Sequence, residues 1–112
     1  MTRAKYNNRK TTVDGIVFDS AKEGRRYTEL LIMQRAKQIS NLELQAPFIL
    51  APSVVLNGRK KPALRYIADF VYDTSDGQVV EDVKSAATRK LPVYRLKSHM
   101  MKHLFNIDIV EI

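Results

Sequence analysis

The stretch from residue 63 to residue 84 carries the strongest strand signals in the chain and constrains its fold the most. Residues 63–72 are rich in β-branched and aromatic side chains, and residues 78–84 follow after the run Thr-Ser-Asp-Gly at 74–77. Two such runs joined by a short polar turn are typical of an antiparallel hairpin. We therefore expect a β-hairpin near the centre of the fold.

The residues before this hairpin predict a smaller hairpin, a helix and a long strand. Asp-Gly within residues 12–18 suits a tight turn between β-branched neighbours. Ser20 is a good N-cap, and Glu23 stands three positions later, so this capping box predicts a helix that runs to about Lys37. Apolar and polar side chains alternate over residues 39–50, which indicates a strand.

The residues after the hairpin predict a second helix and a last strand. Pro92 suits the first helical turn, Asn106 suits a left-handed cap, and residues 107–112 read as a strand. Helical spacing predicts a core-facing stripe formed by Val93, Leu96, Met100 and Leu104. The resulting α-β-β-β-α-β order predicts an α/β fold in which a mixed, mostly antiparallel sheet is flanked by helices, as a single domain over 1–112.

Charge and composition limit the partners that this chain can have. Nineteen lysines and arginines against twelve aspartates and glutamates give 112 residues a net charge of +7, which favours a polyanion. Charge alone does not separate DNA from RNA or an acidic membrane.

We expect residues 1–10 to be a flexible basic arm, since they are polar and basic. That segment does not resemble a signal peptide, the chain lacks cysteine, and no apolar run approaches the roughly 20 residues of a membrane span. We therefore expect a cytoplasmic protein with no membrane partner.

Basic residues outside the arm are candidates for contacts with DNA phosphates. Three of them follow an Asn-Gly turn at residues 57–58, and three lie before or on the second predicted helix. Any one of them alone could simply be solvated. The candidates are Arg59, Lys60, Lys61, Arg89, Lys90 and Lys97.

Charged residues interrupt the two central strands, where such residues are poor strand formers. Asp82 and Lys84 share one face of their strand, about 6.6 Å apart along it, and Asp69 lies on the preceding strand with Ile67 and Val71 on a face that should be covered. A covered carboxylate is costly unless it is paired or holds a cation. Two aspartates suit Mg²⁺ or Mn²⁺, and Lys84 could orient a water and stabilise phosphoryl charge.

A simpler explanation of these residues is a strand-surface ion pair and a turn-capping Asp69. It accounts less well for a third carboxylate on a basic chain. Glu23 shares a helical face with Tyr27 and Leu30 and should point toward the sheet, so it can cap the helix, bind metal, or do both. Glu81 should face away from Asp82.

Two further polar features have ordinary explanations that we favour. Gln45 could touch DNA or a catalytic water, but a satisfied polar strand residue is the simpler interpretation. His99 and His103 have the i, i+4 spacing of a metal pair, yet no acidic residue lies between them, so a solvated or phosphate-facing pair is favoured over a zinc site.

The arrangement of Asp69, then Asp82-Val83-Lys84 after a hairpin, with a glutamate-bearing helix before them, resembles the PD-(D/E)XK nuclease superfamily. The stretches 14–23, 66–70 and 80–84 also resemble a family of small phage-encoded endonuclease-like proteins placed in that superfamily. The resemblance covers most of the chain and implies a restriction-endonuclease-like core. In it Asp69 and Asp82 bind Mg²⁺, Lys84 lies near the nucleophilic water, and a helix glutamate such as Glu23 often completes the metal site. Alanine, not proline, precedes Asp69 here, at a position that varies in the superfamily.

These patterns together predict a Mg²⁺-dependent DNA endonuclease, located in the host cytoplasm if it is phage-encoded. The chain has no room for a separate sequence-reading domain, so we expect selection of DNA structure, such as branches or Holliday junctions, by analogy with resolvases of the superfamily. A homodimer would suit such substrates. The alternatives are a non-catalytic nucleic-acid-binding module with the same fold, and a nuclease subunit that acts only with a partner.

Overall fold

A computed structural model describes residues 9–112, which form eight strands and three helices. In chain order these are β1 (Thr11–Val13), β2 (Ile16–Phe18), α1 (Ala21–Arg35), β3 (Ser40–Ala51), β4 (Val54–Leu56), β5 (Arg59–Lys61), β6 (Leu64–Thr74), β7 (Gly77–Asp82), α2 (Ala86–Arg89), α3 (Pro92–Phe105) and β8 (Val110–Glu111). The expected flexible arm at 1–10 lies outside the described residues except for Arg9 and Lys10, which are exposed.

The central sheet has four strands in the spatial order β3-β6-β7-β8. The first two pairings are antiparallel, and β8 runs parallel to β7. Pro47 lies on β3, which pairs on one side only, as expected for a residue without a backbone N–H. The predicted mixed, mostly antiparallel sheet with flanking helices is confirmed. Two boundaries were wrong: β7 ends at Asp82 rather than Lys84, and β8 is shorter than residues 107–112.

Helices α1 and α3 cover opposite faces of this sheet. Phe70 and Tyr72 belong to the core beneath α1, whereas Val71, between them, belongs to the core beneath α3. Consecutive strand residues point to opposite faces, so the two cores are separate layers. The α1 core contains Phe18, Tyr27, Leu30, Ile39, Phe70 and Tyr72, and the α3 core contains Ala46, Leu50, Tyr66, Ala68, Val71, Val80, Tyr94 and Met101.

The side chains of β3 and β6 change faces halfway along both strands. On β3, Leu44 packs on the α1 side and Ala46 on the α3 side, although residues two apart on a regular strand share a face. Gln45, between them, has a left-handed backbone with φ of 52°. The same change occurs on β6 around Asp69. As a result Ile67 is exposed. The sequence predicted that Ile67, Asp69 and Val71 share a covered face, and this prediction was wrong for Ile67.

The apolar stripe expected on the second helix faces the core only in part. Met100 packs against the core, whereas Val93, Leu96 and Leu104 are exposed, and the buried positions of α3 are Tyr94 and Met101. The sheet therefore takes the face of the helix that has fewer aliphatic residues. No helix among residues 9–112 is long and apolar enough to cross a membrane.

Two small hairpins stand outside the central sheet. The β1–β2 hairpin packs closely on α1 at Gly24, where a Cβ atom would meet methyl groups of Thr11 and Val13 at 3.2 Å. The glycine thus allows the close approach that holds the start of α1 in place. The β4–β5 hairpin turns at Asn57-Gly58, both with positive φ, and all of its strand residues are exposed.

Candidate active site

The site forms where β6 and β7 separate. Counted outward from the hairpin turn, the last paired residues are Phe70 and Glu81. The next position on each strand is an aspartate, Asp69 on β6 and Asp82 on β7. The Asp69 carboxylate spans the gap, because its Oδ2 accepts a 2.8 Å hydrogen bond from the backbone N–H of Val83. The parting of the two strands therefore leaves two aspartates beside each other at the end of the hairpin.

Asp82 is almost completely buried, with 2 % of its surface exposed. Its Oδ2 accepts a 2.6 Å hydrogen bond from the hydroxyl of Tyr66, and the Nζ of Lys84 lies 3.4 Å from the same oxygen. Residues 110–112 hold its backbone in place, since Ile112 donates to the Asp82 carbonyl and the Lys84 N–H donates to Ile112. A buried carboxylate is thus presented on a rigid backbone.

The acidic groups around Asp82 repel one another. Burial raises the pKa of Asp69, and Asp82 raises it further through a side-chain hydrogen bond and through its charge, with a smaller contribution from Glu23. Burial also raises the pKa of Glu23, followed by the charges of Asp19 and Asp82. Clustered carboxylates of this kind favour bound protons or a bound cation.

Gln45 links two of these carboxylates. Its side-chain amide donates to Oε1 of Glu23 at 3.3 Å and to Oδ1 of Asp69 at 3.4 Å. The left-handed backbone at Gln45 and the face change of β3 place the amide there. Glu23 itself is buried on the sheet-facing side of α1, as expected, and its backbone N–H donates to Ser20, which forms the expected N-cap.

Lys84 borders two cavities. The smaller, about 220 Å³, also has Glu23 and Asp69 in its wall, and we call it the small cavity. The larger, about 520 Å³, also has Asp82 and Lys97 in its wall, and we call it the large cleft. The Lys84 ammonium lies 4.7 Å from the ring centre of Tyr94, and its side chain is 24 % exposed. It can therefore reach a ligand while it remains beside Asp82.

The predicted phosphate-binding residues divide into separate groups. Lys97 joins the large cleft, whereas Arg59, Lys60 and Lys61 lie on the exposed β4–β5 hairpin. Arg89 and Lys90 lie on and after α2, where Arg89 is 3.8 Å from Glu111. The structure thus does not bring all six cations together.

The two histidines of α3, His99 and His103, are exposed. Among residues 9–112, no group of three or more histidine or acidic side chains that could hold a metal ion was found. The same holds for Glu23, Asp69 and Asp82, which as they stand do not form such a group.

Glu81 faces away from Asp82, as the strand alternation predicts. It is 1 % exposed and forms a two-pronged ion pair with Arg26, whose Nε and Nη2 lie 2.8 and 2.6 Å from its two oxygens. The Tyr72 hydroxyl also donates to it. This carboxylate is fully paired on the α1 side of the sheet.

Three residues of the site were not assigned a role from the sequence. Tyr66 donates to Asp82, Arg65 lines the large cleft, and Lys22 donates to the backbone carbonyl of Lys84 at 3.3 Å. Tyr66 could have been suspected, because a buried tyrosine hydroxyl needs a partner. Nothing in the local pattern marks Arg65 or Lys22.

Comparison with known proteins gives one match. A family model described as a protein of unknown function, DUF1064, matches residues 3–109. No curated protein and no solved structure matches the chain. Because the matched region covers nearly the whole chain, this protein belongs to the DUF1064 family.

Proposed function

We propose that this protein is a Mg²⁺-dependent endonuclease that hydrolyses DNA phosphodiester bonds. The observation that carries the proposal is that Asp69 and Asp82 lie beside each other next to Lys84 at the open end of a hairpin. Glu23 lies close to Asp69 in the small cavity, although within residues 9–112 the three acids as they stand do not form a group that could hold a metal ion. Structural ion pairs do not require two acids beside one lysine. A reaction that develops negative charge on a phosphate does benefit from a cation held there.

The side chains present fit a hard divalent cation. Carboxylate oxygens are the ligands that Mg²⁺ and Mn²⁺ prefer, and Mg²⁺ is often held by one or two carboxylates together with water and substrate phosphate. Asp69 and Asp82 would hold the ion, and Glu23 would bind a second ion or a metal-bound water. The raised pKa of Asp69 and of Glu23 supports this assignment, because a nearby cation would relieve their repulsion.

Each residue of the site has a separate part in the reaction. The ion, when bound, supplies Lewis-acid stabilisation of the phosphoryl oxygens. Lys84 would donate hydrogen bonds to the attacking water and to a phosphoryl oxygen, because it lines both cavities. One bond forms between the water oxygen and phosphorus, the bond to the leaving oxygen breaks, and overall that oxygen gains a proton of the water.

Two further side chains act as positioning residues. Tyr66 holds Oδ2 of Asp82, which leaves the other oxygen free of this bond. Gln45 sets the separation of Glu23 and Asp69 through its amide. Both contacts restrict rotamers of the acidic residues, and restricted rotamers favour a defined coordination geometry.

The DNA substrate that we propose is a branched structure, such as a four-way junction or a fork. Selection would depend on backbone shape, since the cations of the large cleft suit phosphates and the fold has no element that resembles a separate reading domain within residues 9–112. A homodimer would supply one site to each strand of such a substrate.

Cleavage assays with matched variants test the nuclease proposal. Supercoiled plasmid, linear duplex, single strand and a four-way junction are incubated with Mg²⁺, Mn²⁺ or EDTA. Asp82→Asn and Lys84→Ala should lose cutting, while Asp108→Asn and Lys102→Ala should retain it, because that exposed pair lies 2.9 Å apart on a surface outside both cavities.

The other outcomes separate the alternative functions. Cutting by Asp82→Asn and Lys84→Ala at the wild-type rate would contradict the site. Tight DNA binding without cutting in any metal would favour the non-catalytic module. Cutting that appears only after a second protein is added would favour a subunit that needs a partner.

A further inference from the structure

The β4–β5 hairpin is a projecting arm, which we define as residues 54–61. Every residue of its two strands is exposed, and the strands pair with each other but not with the central sheet. An isolated two-stranded hairpin has little intrinsic stability in water. Its Asn57-Gly58 turn supplies the positive φ angles that a tight hairpin needs, so the arm keeps its shape through local geometry.

One strand of the arm is apolar and the other is basic. Val54, Val55 and Leu56 are between 52 % and 72 % exposed. Each lies opposite a cation, in the pairs Val54 with Lys61, Val55 with Lys60 and Leu56 with Arg59. No acidic residue occurs between residues 44 and 68. The arm thus exposes apolar side chains beside positive charges, with no acidic residue near in sequence. This combination indicates an anionic partner that also offers apolar surface.

The arm is connected to the candidate active site through the large cleft. Ala63, Leu64 and Arg65, which follow the arm after Pro62, line this cleft together with Asp82 and Lys84. Three cations, Arg65, Lys84 and Lys97, line the same cleft. A polyanion that contacts both the arm and these cations would lie beside Asp82.

We propose that the β4–β5 arm enters a groove of duplex DNA beside the bond that is cut. The position beside the cut bond rests on the function proposed above. A two-stranded β-ribbon fits the DNA major groove, where basic side chains reach phosphates and apolar ones contact base edges such as the thymine methyl. Single-stranded DNA is bound largely through stacking on aromatic side chains, and residues 54–61 contain none.

A second copy of this chain fits the arm less well than DNA does. The buried centre of a protein interface is depleted of charged residues, whereas Arg59, Lys60 and Lys61 lie opposite every apolar residue of the arm. Pairing of two arms would also bring six cations together. Duplex DNA neutralises this charge.

Salt-dependent binding measures the contribution of the arm. Fluorescence anisotropy follows the binding of labelled duplex and single-stranded DNA in an Asp82→Asn background without divalent metal, so that cutting does not interfere. Replacing Arg59, Lys60 and Lys61 with glutamine should reduce the slope of log K against log salt by about 2.7, which is roughly 0.9 for each lost phosphate contact. The matched control replaces Arg25, Arg35 and Lys37 with glutamine. These three cations are exposed and lie outside both cavities. That control should change the slope by less than about 1.

A second variant separates groove insertion from simple attraction. Val55→Ser with Leu56→Ser keeps the charge, so the salt slope should be unchanged while duplex binding weakens about tenfold. Binding of single-stranded DNA should weaken by a smaller factor than binding of duplex DNA. Thermal unfolding of both arm variants should match that of the wild type, since the arm is exposed throughout.

Several results would overturn the proposal. An unchanged salt slope in the glutamine variant would show that the arm does not contact phosphate. Equal losses for duplex and single strand in the serine variant would exclude groove insertion. A change from dimer to monomer in sedimentation, without a change in DNA binding, would assign the arm to a second copy. If the binding results are as expected but the wild-type protein never cuts, the arm remains a duplex-binding element and only the nuclease function fails.

Discussion

Glu81 and Asp82 are consecutive acidic residues on one strand, and both are almost completely buried. They differ in what surrounds them. Glu81 points to the α1 side, where both of its oxygens are bound by Arg26 and one also accepts from Tyr72. Asp82 points to the other side, where it has one short hydrogen bond and a lysine at 3.4 Å.

This comparison shows that burial alone does not identify a functional carboxylate. The charge on Glu81 is neutralised within the fold, so its replacement should affect stability first. The charge on Asp82 is only partly compensated and has Asp69 beside it, and this is the side of the strand on which we propose that a cation binds. The difference lies in pairing, and each of the following experiments tests it.

The largest effect should follow from removal of the partner of Glu81. Arg26→Met leaves a buried carboxylate without its cation, and breaking such a pair costs about 3–5 kcal/mol of the free energy of unfolding. Urea denaturation measures it. Adding Glu81→Leu should recover most of the loss, since an apolar pair can replace a buried ion pair. A loss below about 1 kcal/mol for Arg26→Met would mean that this pair is not structural.

The corresponding change on the other side should affect activity rather than folding. Asp82→Asn should lower the single-turnover rate of DNA cleavage by about 10²–10³-fold, the range seen when one charge-stabilising group is removed from an active site. Its urea midpoint should stay near that of the wild type. If Asp82→Asn lowered the free energy of unfolding as much as Arg26→Met does, the two acids would not differ in their structural role.

Binding of Mg²⁺ should stabilise the protein only through the Asp82 side of the strand. At a free concentration about ten times the dissociation constant, a bound ion adds about 1.4 kcal/mol to the free energy of unfolding. Differential scanning fluorimetry with and without Mg²⁺ should show this for the wild type but not for Asp82→Asn. Tyr72→Phe, which weakens only the Glu81 side, serves as the control and should keep the full shift.

The smallest effect concerns the pH dependence of the metal-free protein. The raised pKa of Asp69 means that its protonated form is favoured in the folded state. This contribution is complete below the unfolded pKa, roughly 3.9, and is lost as pH rises through the folded pKa. Asp69→Asn cannot ionise, so in EDTA it should be more stable than the wild type by about 1 kcal/mol at pH 4.5, and the difference should vanish toward pH 3. Urea denaturation at both pH values measures it, and an equal difference at both would contradict the cause assigned to the raised pKa.

Much of the fold could be predicted from local patterns. The Ser20 cap, the Asn57-Gly58 turn and the strand alternation place α1 and the long strands within a few residues, because each depends on backbone geometry near in sequence, whereas the short helix α2 was not predicted. The opposite orientations of Glu81 and Asp82 follow from the same alternation. These features need no knowledge of distant residues.

The remaining features depend on contacts between distant residues. The buried face of α3 was predicted from its aliphatic stripe, yet the sheet selects Tyr94 and Met101, because these fit above Ala68 and Val80 in the same core. The face change at Gln45 requires a left-handed glutamine within a strand, which no propensity indicates. The links from Gln45 to Glu23 and Asp69 follow from that geometry and could not be anticipated.

The parallel pairing of β8 with β7 has a consequence for the order of events during synthesis. Asp82 and Lys84 are held by backbone hydrogen bonds to Ile112, although α2 and α3 separate Lys84 from Ile112 in the chain. A nascent chain that already contains Glu23, Asp69 and Lys84 therefore still lacks the strand that fixes their position. Such distant pairing forms late in folding, after both partners are available. A nascent chain that stops before residue 110 would carry all the acidic residues of the site without the strand that fixes Asp82 and Lys84, so under the proposed function it would not yet cut DNA.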